Sequence, residues 1–137
     1  MKVAFAADDT NECVLAVRQF LESNHEVAKV TESESWPTMS REVAEAVASG
    51  QCQYGVLMCW TGTGTAIAAN KVGGVRAATA ADAWTASRAR RWNDANVLAL
   101  SLKRLAPDVA VECVEAFLAV EAPDPDEVDT IRVLRDV

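Results

Sequence analysis

Histidine is almost missing from this chain: one residue, His25, among 137. A basic excess is missing too, since 13 Lys and Arg stand against 20 Asp and Glu, a net charge of −7. That balance excludes a general nucleic-acid binder, which needs cations to pair with phosphates, and leaves room only for a local basic pocket. No apolar run approaches the length of a membrane span. Met1-Lys2 opens straight into VAFAA, without the apolar region and cleavage site of a signal peptide, so the chain reads as cytoplasmic. The four cysteines (Cys13, Cys52, Cys59 and Cys113) form no CxxC pair and have no histidine beside them, which excludes the usual zinc patterns. In a cytosolic chain they read as free thiols. There is no P-loop, no GxGxxG, no internal repeat and no low-complexity tract.

What is present is half apolar and long enough for one domain with a real core. Strand-like runs recur at 2–7 (KVAFAA), 26–31 (EVAKVT), 54–59 (YGVLMC), 74–79 (GVRAAT) and 96–101 (NVLALS). Amphipathic segments separate them at about 11–18, 38–49, 63–71, 82–92 and 107–120. Strands alternating with helices predict a five-stranded parallel sheet covered on both faces, a three-layer Rossmann-like α/β sandwich. Its ligand crevice lies outside the carboxyl ends of the strands. The last stretch, EAPDPDEVDTIRVLRDV, breaks the pattern with prolines and acids. Residues 1–137 are read as a single domain in which 122–137 forms a surface helix or an arm contacting a partner subunit.

Chemistry collects at the expected strand ends. After Cys59 the run TGTGTAIAANK starts a helix, whose free first-turn N–H groups suit a phosphate or an enediolate oxygen. Gly62 and Gly64 allow a ligand close to the backbone, and Thr61, Thr63 and Thr65 add hydroxyls. The plain alternative is an ordinary turn with a threonine N-cap. Beside a helix start Cys59 can serve as base or nucleophile, whereas Cys13, Cys52 and Cys113 read as small buried hydrophobes. Asp8 and Asp9 end the first strand, either as N-caps or as carboxylates for sugar hydroxyls and proton transfer. Arg88, Arg90 and Arg91 at helical spacing read as a solvated face. Asn93-Asp94-Ala95-Asn96 reads as a helix-ending turn. His25 lies in a turn away from the strand ends and reads as structural.

The opening strand with its Asp pair, then NHEV, REVAEAVASG, CWTGTGTAIAANKVGGVRAA and RRWNDANVLALS, resembles the RpiB/LacA/LacB family of sugar-phosphate isomerases over nearly the full length. The resemblance implies aldose–ketose interconversion of phosphosugars, ribose 5-phosphate to ribulose 5-phosphate being the best-known case. It implies no metal or cofactor, and a homodimer or tetramer whose sites are completed by the partner. In that family the Cys after the third strand moves the proton between C1 and C2, and here it is Cys59. The enediolate donors map to Thr61, Gly62 and Gly64, with Thr63 between them. The family Asp maps to Asp8, its Asn to Asn93 and its phosphate-holding Arg to Arg132.

The chain departs from that pattern where the family has histidines: Asp8-Asp9 replaces Asp-His, and Trp92-Asn93-Asp94 replaces His-Asn-Asp. Trp60 also stands where a glycine is usual. Asp9 would set a negative charge where a phosphate approaches. Trp60 and Trp92 offer flat apolar area near the crevice, for sugar faces or for a dimer interface. Asp9 or Asp94 would be left as the ring-opening acid. The leading expectation is therefore an isomerase working through Cys59 on a sugar phosphate, or on a different or unphosphorylated sugar. The alternative is a non-catalytic or hetero-oligomeric sugar-phosphate-binding subunit.

Overall fold

The computed structural model describes residues 1–29 and 35–136, and the side chains of all of these but 29, 135 and 136. The chain runs β1 (Lys2–Ala7), α1 (Glu12–Asn24), β2 (Glu26–Lys29), α2 (Trp36–Ala48), β3 (Tyr54–Cys59), α3 (Thr63–Ala69), β4 (Ala77–Thr79), α4 (Ala83–Asn93), β5 (Val97–Ser101) and α5 (Pro107–Leu118). A 3₁₀ turn at Pro125–Glu127, the short α6 (Val128–Arg132) and a second 3₁₀ turn at Val133–Asp136 follow. The expected second strand, 26–31, is met at Glu26–Lys29, and its remainder falls outside the described residues. No helix among the described residues is long and apolar enough to cross a membrane.

All five strands are parallel, in the order β2-β1-β3-β5-β4. Side-chain alternation along each strand divides the core in two. Val3, Phe5, Val56, Met58, Leu98 and Leu100 pack under α1, α4 and α5, around the fully buried Phe117. Ala4, Ala6, Leu57, Val97 and Ala99 face α2 and α3, which bring Met39, Val43, Ala44, Ala66 and Ala69. This second layer is built of small residues, so its helices lie close to the sheet. Gly55 shows how close: a Cβ there would stand 2.6 Å from Val43 Cγ1.

Several element boundaries differ from the periodicity for identifiable reasons. β4 begins at Ala77 rather than 74 because two asparagine side chains take over its leading backbone. Asn96 Oδ1 accepts from Arg76 N–H (2.8 Å) and Asn70 Oδ1 from Ala77 N–H (2.8 Å). α1 is capped by Asn11, whose Oδ1 accepts from Val14 N–H (3.0 Å), not by Asp8 or Asp9. The expected solvated face of three arginines is corrected at Arg90, which is only 2% exposed. Its guanidinium donates to Tyr54 Oη (2.7 Å), Ala95 O (2.8 Å) and Asp94 Oδ1 (2.9 Å), and lies over the Tyr54 ring.

Candidate active site

β1 and β3 are neighbours, but α1 and α3 leave them toward opposite faces, so their carboxyl ends open a crevice. Register and alternation place Cys59, at the end of β3, on the α2/α3 face beside Ser101 of β5. The thiol is 5% exposed. Gly62 N–H donates to its sulfur at 3.2 Å, and Thr65 Oγ1 lies 3.4 Å away, also bonded to Gly62 O at 3.2 Å. The Thr65 hydroxyl can turn from the Gly62 carbonyl to the sulfur, so a thiolate there would have two donors.

The turn that makes this ring requires glycine. Gly62 is the N-cap of α3 with φ +78°, and a Cβ would come within 3.1 Å of Leu100 C and 3.2 Å of Ser101 N. No threonine caps the helix; instead Thr61 and Thr63 bond to one another at 2.8 Å. Thr63 N–H turns to Thr61 Oγ1 (3.4 Å), which leaves the first-turn amides of Gly64 and Thr65 without an intrahelical acceptor. Gly64 is roofed by Trp36 of α2, whose ring would meet a Cβ at 3.2 Å.

Asp8 and Asp9 stand across the crevice and are differently engaged. Asp9 has both its oxygens engaged: Oδ1 by Thr10 N–H (2.8 Å) and Oδ2 by Trp60 Nε1 (3.1 Å). Trp60, 51% exposed, also has Lys103 Nζ 5.2 Å from its ring centroid, and its carbonyl accepts from Ser101 Oγ. Asp8 Oδ1 is buried with no hydrogen-bond partner. Burial and the neighbouring Asp9 charge push the Asp8 carboxyl up, against the opposing effect of a backbone hydrogen bond.

A raised carboxyl binds its proton more tightly in the folded chain than in the unfolded one. Its stabilising contribution is therefore complete in acid and is lost as pH rises through the folded value. Asp8→Asn should consequently be more stable than the parent protein at pH 7. The gain should shrink toward zero in the acid range where both stay folded. Urea unfolding followed across pH measures this, and parallel stability profiles for the two proteins would refute it.

Asp8, Asp9, Cys59, Trp60, Thr61, Gly62, Thr63 and Gly64 thus share one end of the sheet. Trp92 and Asn93 do not join them within a chain. They end α4, whose outgoing loop feeds the amino end of β5, opposite the crevice, and Trp92 packs edge-on against Trp84 with Arg88 over both rings. The expectation that Trp92 lies near the chain's own crevice is corrected accordingly. Asp94 is likewise unsuited to an acid at that crevice, being paired with Arg76 and Arg90 at the far end of the sheet. Arg132 is exposed on α6 and ion-paired with Asp129. His25, after α1, also lies at the amino end of the sheet, away from the crevice. Sequence reasoning missed Trp36, Lys103 and Arg104 at the crevice end. Ser101 falls there as the end of the expected strand 96–101, and only its pairing with Cys59 needed the β3–β5 register, which periodicity does not give.

A family profile described as Ribose/Galactose Isomerase matches residues 3–133. Among similar proteins, a D-erythrulose-4-phosphate isomerase from Pectobacterium atrosepticum is 41% identical over 90 residues, 66% of this chain and 59% of that protein. D-erythrulose-4-phosphate isomerase 2 of Mycolicibacterium smegmatis is 35% identical over 126 residues, 86% of this chain and 82% of the other. The match thus spans about three fifths of the Pectobacterium protein's length. The structure of Clostridium thermocellum ribose-5-phosphate isomerase B superposes with a TM-score of 0.91 at 32% identity, covering 99% of this chain and 96% of that one.

Proposed function

The chain belongs to the ribose/galactose isomerase family, and from that footing we propose that it interconverts an aldose phosphate and the matching ketose phosphate, with Cys59 carrying the proton. The observation that supports this most directly is the ring of Cys59, Gly62 and Thr65, which offers two donors to a sulfur anion. The thiolate takes the C2 proton of the aldose, and the electron pair moves onto the C1 carbonyl oxygen to give an enediolate. Thr61 and the first-turn amides of Gly64 and Thr65 meet that oxygen. The thiol then returns the proton at C1, while the O2 proton passes to O1. Asp8 is the carboxyl for that second transfer, since its raised affinity and unpartnered Oδ1 suit a group that both holds and releases a proton. Trp60, held by Asp9, closes the mouth beside the sugar, with Gly62 and Thr63 lining it. Trp92, Asn93 and Arg132 enter from a second copy of the chain.

The single histidine narrows the substrate further. Ribose 5-phosphate has a free O4 and rests mainly as a closed ring, which an acid or base must open. A four-carbon sugar 4-phosphate has that oxygen esterified and is open already. With His25 at the far end of the sheet and Asp94 paired to two arginines, an open-chain tetrose phosphate fits this chain better than a pentose phosphate. The similarity to two D-erythrulose-4-phosphate isomerases supports the same reading.

The deciding experiment is proton NMR in D2O with tetrose and pentose phosphates and their unphosphorylated aldoses. Deuterium at C2 of the aldose and C1 of the ketose is expected fastest for the tetrose phosphate. Exchange with no sugar at all would transfer the reading to a non-catalytic binding subunit. Sedimentation of the same sample should give a dimer or tetramer, and a monomer at micromolar concentration would remove the second-copy contribution.

A further inference from the structure

Three loops of the crevice end meet at one indole. Trp60 follows Cys59 directly in the turn after β3, and its Nε1 donates to Asp9 Oδ2 (3.1 Å) in the loop after β1. From the loop after β5, Lys103 Nζ stands over the ring, 5.2 Å from its centroid, and Ser101 Oγ at the end of β5 donates to the Trp60 carbonyl. A second bond, from Asn11 Nδ2 to Leu102 O (2.8 Å), ties the same two outer loops to each other. β1, β3 and β5 are adjacent in the sheet, so at about 4.8 Å per strand the tie spans roughly 10 Å of the crevice mouth. The anion on the N–H and the cation on the ring face hold the indole from two directions. It is a fixed bar, yet half of it is exposed.

That bar stands one residue from the thiol. Beyond the same turn, between the ends of β4 and β5, a cleft of about 370 Å³ is lined by Thr61, Thr63, Thr79 and Ser101, among others. Its volume is near the low end for small-ligand sites, which suits a molecule of a few carbons. A sugar whose C1–C2 end lies at Cys59 therefore has a short run of open space on the β5 side and a pinned aromatic ring on the β1 side. A free side chain would swing aside for a longer substrate. Trp60 would have to break a hydrogen bond to a carboxylate and leave an ammonium ion to do so. Each added carbon then counts against the larger sugar, a discrimination built on a clash rather than on a contact.

We infer that Trp60 sets the length of the sugar this chain accepts, as a bar that turns away phosphosugars of more than four carbons, and that Asp9 is the positioning residue that holds it there. This rests on the isomerase reading above and adds to it the residue that separates tetrose from pentose and hexose phosphates. Trp60 meets the substrate, and Asp9 acts through the indole.

The intact chain is assayed with four-, five- and six-carbon aldose phosphates, and its binding of the matching aldonate phosphates is measured by calorimetry. An aldonate carries a carboxylate in place of the C1 carbonyl and cannot be isomerised, so the second readout needs no turnover. Wild type should favour the four-carbon member in both. Trp60→Ala should raise the five-carbon to four-carbon ratio of kcat/KM, and of affinity, by roughly tenfold to a hundredfold, the discrimination that one carbon yields in a fitted pocket. Asp9→Leu should move both ratios the same way by less and shift the Trp60 Nε1–H proton resonance. Asp9→Asn, which keeps one acceptor oxygen, should retain most of the wild-type ratio. An unchanged ratio in Trp60→Ala, or in Asp9→Leu where the alanine variant does not fold, would overturn the assignment. So would an equal loss for all lengths, or a wild type that binds the longer aldonates as tightly as the four-carbon one or binds none. Should wild type isomerise nothing, the functional reading fails while the aldonate ratio still decides on Trp60.

Discussion

Cys59→Ser should lower kcat by about 10³-fold, in the middle of the range for a positioned acid–base group. Serine preserves the shape of the site: its hydroxyl can still accept from Gly62 N–H and meet Thr65, and the residue stays buried. What it removes is the thiol, and an alkoxide forms far less readily than a thiolate. The amide donors of the α3 turn remain, so residual exchange above the uncatalysed rate should persist, as it does where an oxyanion cradle survives its base. Initial rates of deuterium incorporation, with urea midpoints showing an unchanged fold, make the comparison. A Cys59→Ser protein that keeps more than roughly a tenth of the wild-type rate would mean that some other group moves the proton.

Arg90→Met should cost about 3–5 kcal/mol of stability, the range for breaking a buried charged pair by removing one partner. At this chain size that corresponds to roughly 10 °C or more in Tm. The reasons are local. Arg90 is almost wholly buried, bridges Tyr54 Oη, Ala95 O and Asp94, and stacks on Tyr54 and Phe117. Methionine fills part of the space but leaves the tyrosine hydroxyl and the carbonyl without their donor. Asp94 keeps Arg76, which limits the damage. The neighbouring Arg91, half exposed with a single 3.4 Å contact to Asp124, should cost less than about 1 kcal/mol when changed to Met. Urea unfolding of both variants gives the contrast, and equal stabilities would mean that the buried cation contributes nothing net.

The sequence revealed most of the architecture because the strands carry it openly. Apart from Lys2 at its entry, KVAFAA is apolar throughout, as is YGVLMC, the pattern of central parallel strands, and β1 and β3 match them end to end. Legibility failed where a side chain replaced a backbone partner. Asn70 and Asn96 bonding Ala77 and Arg76 at the entry to β4 leave no mark in an apolar pattern. Arg90 was misread because a helical wheel sees charge but not Tyr54 and Asp94, which come from other elements. At the candidate site the contiguous stretch from Cys59 to Gly64 could be read off directly, as could the Asp pair. Arg104 could not, nor could the pairing of Ser101 with Cys59, which exists only through strand register. Trp92 and Asn93 were placed by resemblance, and a single chain carries them to the other end of the sheet.

The bonds that hold the Cys59 sulfur all close within residues 59–65. Other groups at that end of the sheet come from elsewhere: Asp8 and Asp9 after β1, Trp36 from the first turn of α2, Lys103 and Arg104 after β5. Descendants of one ancestor that keep Asp8 can therefore exchange the other outlying segments, and so change which molecule they accept, without disturbing the heptapeptide that moves the carbon-bound proton. Drift at Trp36 or Lys103 alters diet, whereas drift at Gly62 ends the lineage's trade.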